Sequence, residues 1–396
     1  MSSGVTLRAA TESDLDRLIE IHTACYPDER GAAARRLNFV ENALGRLGDL
    51  RVAERGRQLV GHAFGFSLGA WFGGASVRAL GVASVGVAPE ARSSGVGAAL
   101  VRGLEEEARA SGAVVSILHA FRQGFYARLG YANVAPNRRL ACDPRAVPRA
   151  WVDQARRSGI RAASGKDAEK IIALYTQAAR TTTGWLDRAE NLWRRRLASE
   201  RIRFYVLEDA GYVAFETWQR EPHAATRILV RELAATGDEA RRVLWGFLGM
   251  QAGQAQEIEI ELADDDPILF ALGDVDGARA GDERVEHALG RVVAGPMIKL
   301  LDARAALAAR GWPRDGEASL RAPDAFRIVV RDGRASLDDR ASDPLVMQPD
   351  ALASIAFGGL RARDASRLGL ASGSEAAISR ADALLASPPF FTVDRF

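Results

Sequence analysis

Two stretches of the chain share one pattern of apolar and polar positions. Residues 7–23 (LRAATESDLDRLIEIHT) and 160–176 (IRAASGKDAEKIIALYT) align without a gap. In both, a short strand-like run is followed by apolar residues at the spacing of an amphipathic helix. A hydroxyl residue, Thr11 or Ser164, precedes each helix, and the aspartate three residues later completes a pattern that resembles a capping box. The sequence therefore predicts the same strand and capped helix twice.

A second pair of similar segments follows in the same order. Residues 60–64 (VGHAF) and 211–215 (GYVAF) match in Ala and Phe, and each follows a turn signal, as a central strand would. Two matches in the same order predict tandem copies of one fold. The copies then diverge, because the strand at 80–87 runs into a glycine-rich loop, whereas the strand at 228–233 passes through AATGDEA into a helix.

The remainder, residues 291–396, carries a different pattern. Two strand-like runs flank Asp332-Gly333, a dipeptide typical of hairpin turns. Helices are expected at 350–360 and at 374–386, and a Pro-Pro pair ends the second of them. The chain ends in FFTVDRF, an apolar segment that we expect to pack against the protein.

Composition narrows the possible classes of function. The chain has 53 basic and 51 acidic side chains, and this near balance argues against a nucleic-acid partner. The N-terminus has no apolar signal core, and no apolar run approaches the roughly 20 residues of a membrane helix, so we expect a cytoplasmic protein with no membrane partner. Cys25 and Cys142 are too few for a disulfide scaffold, and the histidines show no metal-ligand spacing, which predicts no bound metal.

The most informative stretch joins a strand to a helix. The apolar run Val82–Val87 leads into a turn that contains Gly95 and Gly97, after which a helix begins. These glycines permit a tight turn whose N–H groups face one way at a helix N-terminus, where an anion is favoured, and Arg92 adds a charged donor. Such a turn suits a diphosphate. The dinucleotide fingerprint needs Gly or Ala where this chain has Leu100, and an ordinary strand-to-helix turn stays open as an alternative.

The form Arg-x-x-Gly-x-Gly resembles the acetyl-CoA loop of the GNAT acetyltransferase superfamily. Residues 121–131 (FRQGFYARLGY) resemble the last motif of that superfamily, in which the matching tyrosine protonates the departing coenzyme A thiolate. The resemblance therefore implies Tyr126 as general acid, and it implies that the strand before the loop pairs with the pantetheine amides. The cofactor-binding residues implied in this way are Val85, Gly86, Val87, Arg92, Ser93, Ser94, Gly95, Val96, Gly97 and Ala98.

The whole chain resembles the Eis (enhanced intracellular survival) family of GNAT N-acetyltransferases. The resemblance implies an α/β fold with two tandem GNAT units on mixed central sheets and a C-terminal sterol-carrier-like α/β domain. It divides the chain into residues 1–150 with the acetyl-CoA site, 151–290 without a cofactor loop, and 291–396. It also implies a homo-oligomer, either a trimer or a hexamer.

In that family the C-terminal carboxylate is thought to reach the active site and act as base, which here implies Phe396. A terminal carboxyl has a pKa near 3.5 in water, and burial raises that value. The acids that follow the first helix, Asp28 and Glu29, are the candidate substrate-binding residues. In members of the family that acetylate polycationic amines, acids line the pocket. The cationic Arg395 beside the terminus differs from that pattern, so a polycationic substrate is less strongly implied than acetyl transfer itself.

The predicted function is acetyl-CoA-dependent N-acetylation of a primary amine by direct transfer, with an aminoglycoside-like compound, a polyamine or a lysine side chain as acceptor. The alternatives are a non-catalytic acyl- or lipid-binding protein, which would use the sterol-carrier-like part, and an acetyl-CoA sensor. The intact loop and Tyr126 favour the enzyme.

Overall fold

The computed structural model describes residues 4–28, 31–219, 221, 224–273 and 289–396. In these residues the strands form three mixed sheets and helices pack against them, so the predicted α/β class is confirmed. The strands are β1 (Thr6–Ala9), β2 (Leu50–Arg55), β3 (Gln58–Phe72), β4 (Ala75–Val87), β5 (Val115–Leu118), β6 (Ala132–Asn133), β7 (Asn137–Cys142), β8 (Arg161–Ala162), β9 (Leu186–Asp187), β10 (Arg203–Leu207), β11 (Gly211–Trp218), β12 (Arg227–Ala235), β13 (Glu257–Ala263), β14 (Arg291–Val293), β15 (Met297–Leu300), β16 (Gly316–Arg321), β17 (Ala325–Arg331), β18 (Arg334–Asp338), β19 (Leu345–Met347) and β20 (Ala371–Ser372). The α-helices are α1 (Leu15–Cys25), α2 (Ala32–Val40), α3 (Val96–Ala110), α4 (Gln123–Ala127), α5 (Arg149–Arg157), α6 (Ala168–Arg180), α7 (Glu190–Leu197), α8 (Asp238–Gly249), α9 (Ala303–Ala309), α10 (Pro349–Phe357), α11 (Ala362–Arg367) and α12 (Glu375–Leu385).

Both predicted capping boxes are present. The backbone N–H and the hydroxyl of Thr11 donate to Asp14, and those of Ser164 donate to Asp167, at distances between 2.7 and 2.9 Å. Each aspartate also pairs with the arginine six residues before it. The repeated sequence therefore folds into the same local structure twice.

The first sheet has the strand order β1-β2-β3-β4-β5-β15-β6, and β9 pairs with β3. Strand β4 is antiparallel to β3 along most of its length, but it pairs in parallel with β5 only from Ala79 to Val82. Residues 83–87 of β4 extend beyond β5, so the two strands separate. We call this stretch of β4 the open edge.

The second sheet has the order β14-β7-β13-β12-β11-β10-β8. Strand β12 pairs in parallel with β13 only from Arg227 to Val230, so residues 231–235 also run on without a neighbour on that side. The second sheet therefore repeats the separation seen in the first. After β12 the chain turns directly into α8 without a glycine-rich loop, as the sequence predicts.

Two strands belong to the sheet of the unit on the other side of an expected domain boundary. Strand β7 precedes residue 150 but lies between β14 and β13 in the second sheet, and β15 follows residue 290 but lies between β5 and β6 in the first. Sheet membership thus changes near residues 137 and 297. The boundaries at 150 and 290 stay predictions.

The third sheet has the order β18-β17-β16-β19-β20, and its hairpin turns at Asp332 and Gly333, with φ of 51° and 72°. Helices α10 and α12 occupy the two predicted segments. Phe357 of α10 meets Phe72 of β3 with ring centroids 5.0 Å apart, so the third unit shares a core with the first sheet. Among the helices of the described residues, none has the length and apolar character that a membrane crossing needs.

Candidate active site

The open edge of β4 presents backbone groups without a strand partner on one side. The N–H of Ala88 donates to the carbonyl of Val60 on β3 at 2.9 Å. Because backbone groups alternate in direction along an antiparallel strand, those of Val85 and Val87 point away from β3 and into the separation. This is the stretch that the resemblance implies for pantetheine pairing.

A β-bulge bends β4 where the open edge begins. The register against β3 shifts between Ala83 and Gly86, and Ser84 has a positive φ of 49°. Gly86 permits a close approach, since a Cβ there would lie 2.5 Å from the ring of His62. Burial, with a smaller contribution from His22, lowers the pKa of His62 to about 3, so this ring is neutral at physiological pH. The bulge and the glycine together bring β4 close to the neutral ring of His62.

The turn between β4 and α3 has the conformation that its glycines predict. Ser93 and Gly95 have positive φ of 62° and 86°, and Gly95 is the N-cap of α3. The first N–H groups of a helix, here those of Val96, Gly97 and Ala98, have no acceptor within the helix. No side chain of the described residues caps them either. Together with the helix dipole they suit a bound anion, which fits the diphosphate of acetyl-CoA.

Two arginines lie beside this turn. Arg55, at the end of β2, donates to the hydroxyl of Ser94 at 2.7 Å, and Ser94 in turn donates to the carbonyl of Ala91. Arg92 instead donates to the carbonyl of Ala24 in α1 at 3.1 Å. Sequence analysis missed Arg55, because it lies 39 residues before Ser94 and belongs to no motif.

Tyr126 lies in α4 with 3% of its surface exposed. Its ring meets those of Phe125 and Tyr131 edge-on, with centroids 4.9 and 5.9 Å away. Burial raises the pKa of Tyr126 to about 12, so the phenol keeps its proton at neutral pH. Tyr131, by contrast, shares a hydrogen bond of 2.7 Å with Ser116 in the core.

The end of α1 meets the open edge. Tyr26 Oη donates to the carbonyl of Val85 at 2.9 Å, and Cys25 Sγ donates to that of Val87 at 3.4 Å. Burial, together with the nearby Tyr126, raises the pKa of Tyr26. Tyr26 and Cys25 therefore contact the carbonyl groups implied for pantetheine, and Tyr126 belongs to the apolar core against which Val85 and Val87 pack. Sequence analysis did not single out Tyr26, since a tyrosine after a helix forms no motif.

The C-terminal segment packs with alternate residues buried. Phe390, Thr392 and Asp394 have exposures of 0%, 3% and 6%. The ring of Phe396 lies 5.4 Å from that of His119, and a Cβ built on Gly81 would lie 3.1 Å from it. Phe396 therefore packs where β4 and β5 still pair, at the base of their separation.

Arg188 fixes this segment. Its Nε lies 3.0 and 3.1 Å from the two carboxylate oxygens of Asp394, and its Nη atoms donate to Glu232 of β12. Tyr175 and Trp193 cover the guanidinium at 3.9 and 4.7 Å from their ring centroids. Although burial raises it, the neighbouring guanidinium groups lower the pKa of Glu232 to about 2. The second unit thus holds the tail by a buried, charged network.

His119 is a third site residue, after Arg55 and Tyr26, that the sequence motifs did not indicate. It follows β5 directly, and its Nε2 lies 3.3 Å from the carbonyl oxygen of Asp394. A carbonyl oxygen only accepts, so Nε2 carries the hydrogen and Nδ1 is the ring acceptor. Burial lowers the pKa of His119, so the ring is neutral at physiological pH. Its position directly after a strand and two residues before the motif at 121–131 was the signal in the sequence.

Three parts of the chain match known domain families. Residues 6–134 and 184–292 each match an acetyltransferase (GNAT) domain, and residues 303–392 match a sterol carrier protein domain. The N-acetyltransferase Eis of Mycobacterium tuberculosis, like that of Mycobacterium bovis, is 28% identical over 384 residues, with 90% of each chain covered. The chain is therefore similar over 90% of its length to the Eis N-acetyltransferases, and it carries two acetyltransferase (GNAT) domains.

Solved structures share the whole architecture of this Eis-type chain. A GCN5-related N-acetyltransferase from Kribbella flavida has a TM-score of 0.82 at 27% identity, covering 99% of this chain and 98% of its own. Eis1 from Mycobacterium abscessus has the same fold, with a TM-score of 0.77 at 24% identity, covering 99% of this chain and 100% of its own. The Eis-type chain is thus an N-acetyltransferase, and GNAT acetyltransferases use acetyl-CoA. The described residues hold no group of three or more His, Cys, Asp or Glu placed to bind a metal.

The acids expected to bind substrate have a different environment in this Eis-type chain. Arg35 donates to the carboxylate of Asp28 at 2.6 Å and to the carbonyl of Tyr26 at 2.9 Å. The charge of Asp28 is therefore balanced within the chain, and the ion pair orders the segment that follows α1. Glu29 lies outside the described residues. The role of both acids in substrate binding stays a prediction.

Proposed function

We propose that this Eis-type enzyme transfers the acetyl group of acetyl-CoA directly to a primary amine, with Tyr126 as general acid and the carboxylate of Phe396 as base. The observation that carries the proposal is the position of both residues at one strand separation. Tyr126 belongs to the apolar core against which Val85 and Val87 of the open edge pack. Phe396 packs on Gly81, at the base of the same separation.

Acetyl-CoA is assigned to the turn at 92–98 and to the open edge. The uncapped N–H groups of α3 bind the diphosphate, and Arg92 and Arg55 supply positive charge beside it. The outward backbone groups of Val85 and Val87 bind the pantetheine amides. The thioester supplies the acetyl group and a thiolate as leaving group.

Tyr126 donates the proton that the departing thiolate needs. The thiol of coenzyme A resembles a cysteine thiol, whose ordinary pKa is near 8.5. A phenol with a pKa of about 12 is fully protonated at neutral pH and is available to donate. The neighbouring aromatic rings hold Tyr126 in one orientation.

Phe396 accepts the proton that the amine loses, directly or through a water molecule. The anchored Asp394 fixes the chain two residues before the terminus, and the Nε2–H of His119 holds the carbonyl of Asp394. The remaining freedom of the terminal carboxylate is therefore small. A positioned base of this kind needs no change of side-chain geometry during turnover.

The acceptor is a primary amine of the aminoglycoside, polyamine or lysine type. Direct transfer is favoured over an acetyl-cysteine intermediate by the contact of the Cys25 thiol, which donates to the carbonyl of Val87.

A thiol-release assay with acetyl-CoA and a panel of primary amines tests the proposal. Tyr126→Phe removes only the phenol hydroxyl, and kcat should fall by about 10²–10⁴-fold while the affinity for acetyl-CoA is kept. Tyr131→Phe is the matched control, because it also removes a buried hydroxyl but one that bonds to Ser116 in the core. Parent-like kcat in Tyr126→Phe at saturating substrates would remove Tyr126 from the mechanism.

A further inference from the structure

A cavity of about 680 Å³ lies on the second sheet, apart from the turn at 92–98. Its walls include β12 and β13 beyond the point at which they pair, and the tail residues Phe391, Val393 and Arg395. In the second copy of the fold this is the counterpart of the separation between β4 and β5. The second copy has lost the cofactor loop but has kept the cleft.

The tail connects this cavity to the proposed catalytic terminus. Val393 and Arg395 face the cavity, whereas Asp394 faces Arg188 on the other side. Arg395 pairs with Glu261 of β13 in the cavity wall and directly precedes Phe396. A molecule in this cavity therefore contacts Arg395, the residue that directly precedes the terminal carboxylate of Phe396.

The wall of the cavity is charged but balanced. Five arginines and five carboxylates line it. They form pairs, such as Arg231 with Glu216 at 2.7 Å and Arg241 with Asp266. A polycation gains no net attraction from such a wall. A molecule with both an ammonium and a carboxylate gains from both kinds of side chain, because a guanidinium binds a carboxylate through two parallel hydrogen bonds.

Buried donors in this wall also lack acceptors. Trp185 is 5% exposed, and its Nε1–H has no hydrogen-bond partner among the described residues. The Nε–H of Arg196 is in the same condition. Because buried N–H groups are nearly always hydrogen-bonded, both favour a ligand that brings oxygen acceptors.

We infer that this cavity is the acceptor pocket and that its substrate is a primary amine that also carries a carboxylate, such as an amino acid or the C-terminal residue of a peptide. The inference rests on the proposed function, because it assigns the amine of that same reaction. We assign the carboxylate to Arg231, which lies on the unpaired part of β12 with 42% of its side chain exposed.

The test measures kcat/KM by thiol release with the full-length protein and acetyl-CoA. Lysine and the tripeptide Gly-Gly-Lys are each compared with their C-terminal amide, and spermidine serves as the polycation. Each acid should exceed its amide by about tenfold, the ordinary effect of one charged hydrogen-bonded pair. The comparison of kcat/KM for lysine with that for the tripeptide shows whether the preferred acceptor is a free amino acid or the C-terminal residue of a peptide.

Two matched variants assign the preference to the cavity. Arg231→Gln should bring the acid-to-amide ratio close to one. Arg227→Gln is the control, since Arg227 lies on the same strand, pairs with Glu257 at 3.2 Å and does not line this cavity, and it should keep the parent ratio.

Two results would overturn this inference but leave the proposed function intact. One is that spermidine or the amides are turned over as well as the acids, and the other is that Arg231→Gln keeps the parent acid-to-amide ratio. No thiol release with any amine would overturn the proposed function, and the inference with it.

Discussion

Two glycines shape the turn between β4 and α3, where we propose that acetyl-CoA binds. Gly95 has a φ of 86°, which side chains with a Cβ rarely adopt, and it begins α3 without a capping side chain. Gly97 serves a different purpose. A Cβ there would lie 3.3 Å from the ring of Phe125 and 3.6 Å from Val87, so it faces the residues that border the open edge.

Gly97→Val should therefore weaken acetyl-CoA binding by about tenfold or more, because its methyl groups must displace Phe125 or Val87 from the cofactor path. Calorimetric titration of acetyl-CoA measures the effect. Gly124→Ala, in neighbouring α4, is the control, since a Cβ there meets no atom within 4 Å, and it should bind like the parent. Equal affinity of Gly97→Val and the parent would show that the turn does not hold the cofactor.

Individual residues were predictable from sequence where a local motif marks them. The glycine-rich turn and Tyr126 belong to motifs of consecutive residues, so their neighbours in space are their neighbours in sequence. Arg55 and His119 are brought to the site by sheet register. Arg188 meets Asp394 across 206 residues. No spacing rule reaches that far, and only the fold brings such partners together.

At the scale of elements, the tail is a bound segment whose anchor comes from another unit. The side chain of Arg188 is fully buried, and it binds the tail at Asp394, two residues before the terminus. Helix α6 through Tyr175, helix α7 through Trp193 and strand β12 through Glu232 also contact Arg188. The position of the terminus thus depends on the second unit.

Arg188→Gln should lower kcat by about 10²-fold with little change in acetyl-CoA affinity, because the terminal carboxylate loses its fixed position. It should also lower Tm, since the buried Asp394 loses its ion pair and Glu232 keeps only that with Arg196. The control is Arg161→Gln, which breaks the ion pair with Asp167 in the same unit and leaves the tail untouched. Single-turnover kinetics and acetyl-CoA titration give the two readings.

Semisynthesis separates position from stability. A protein amidated at Phe396 keeps every side chain and the Arg188 anchor but loses the terminal charge. It should fold with the parent Tm, bind acetyl-CoA and show the same loss of kcat. Full activity of the amidated protein would leave Phe396 as an anchor without chemistry.

At the scale of the whole molecule, the two copies of the fold differ in the turn that follows the matching strand. The turn after β12 leads into α8, whose first turn carries Asp238 and Glu239. Two carboxylates at a helix N-terminus repel a diphosphate, while the first copy presents uncapped N–H groups at the matching place. The tandem architecture and the loss of the second loop were both predictable, because they rest on local patterns. The crossing of β7 and β15 was not, since each strand is short and its partner sheet lies elsewhere in the sequence.

Titration calorimetry should therefore give one acetyl-CoA per chain. The same experiment on Gly97→Val should show that single site weakened and no other site behind it. A stoichiometry of two would mean that the second cleft binds the cofactor despite its acids. That result would also conflict with the use of the second cleft for the acceptor.

The exchange of β7 and β15 between sheets has a consequence for how the chain folds during synthesis. The first sheet needs β15, at Met297–Leu300, to join β5 to β6, so it stays incomplete until the ribosome has passed residue 300. The second sheet needs β7 from the region before residue 143, so neither sheet closes from its own contiguous segment. Contacts of such long sequence separation slow folding and leave edges exposed in nascent chains. The three units should therefore mature together, and an excised first unit would be an aggregation-prone fragment instead of a minimal enzyme.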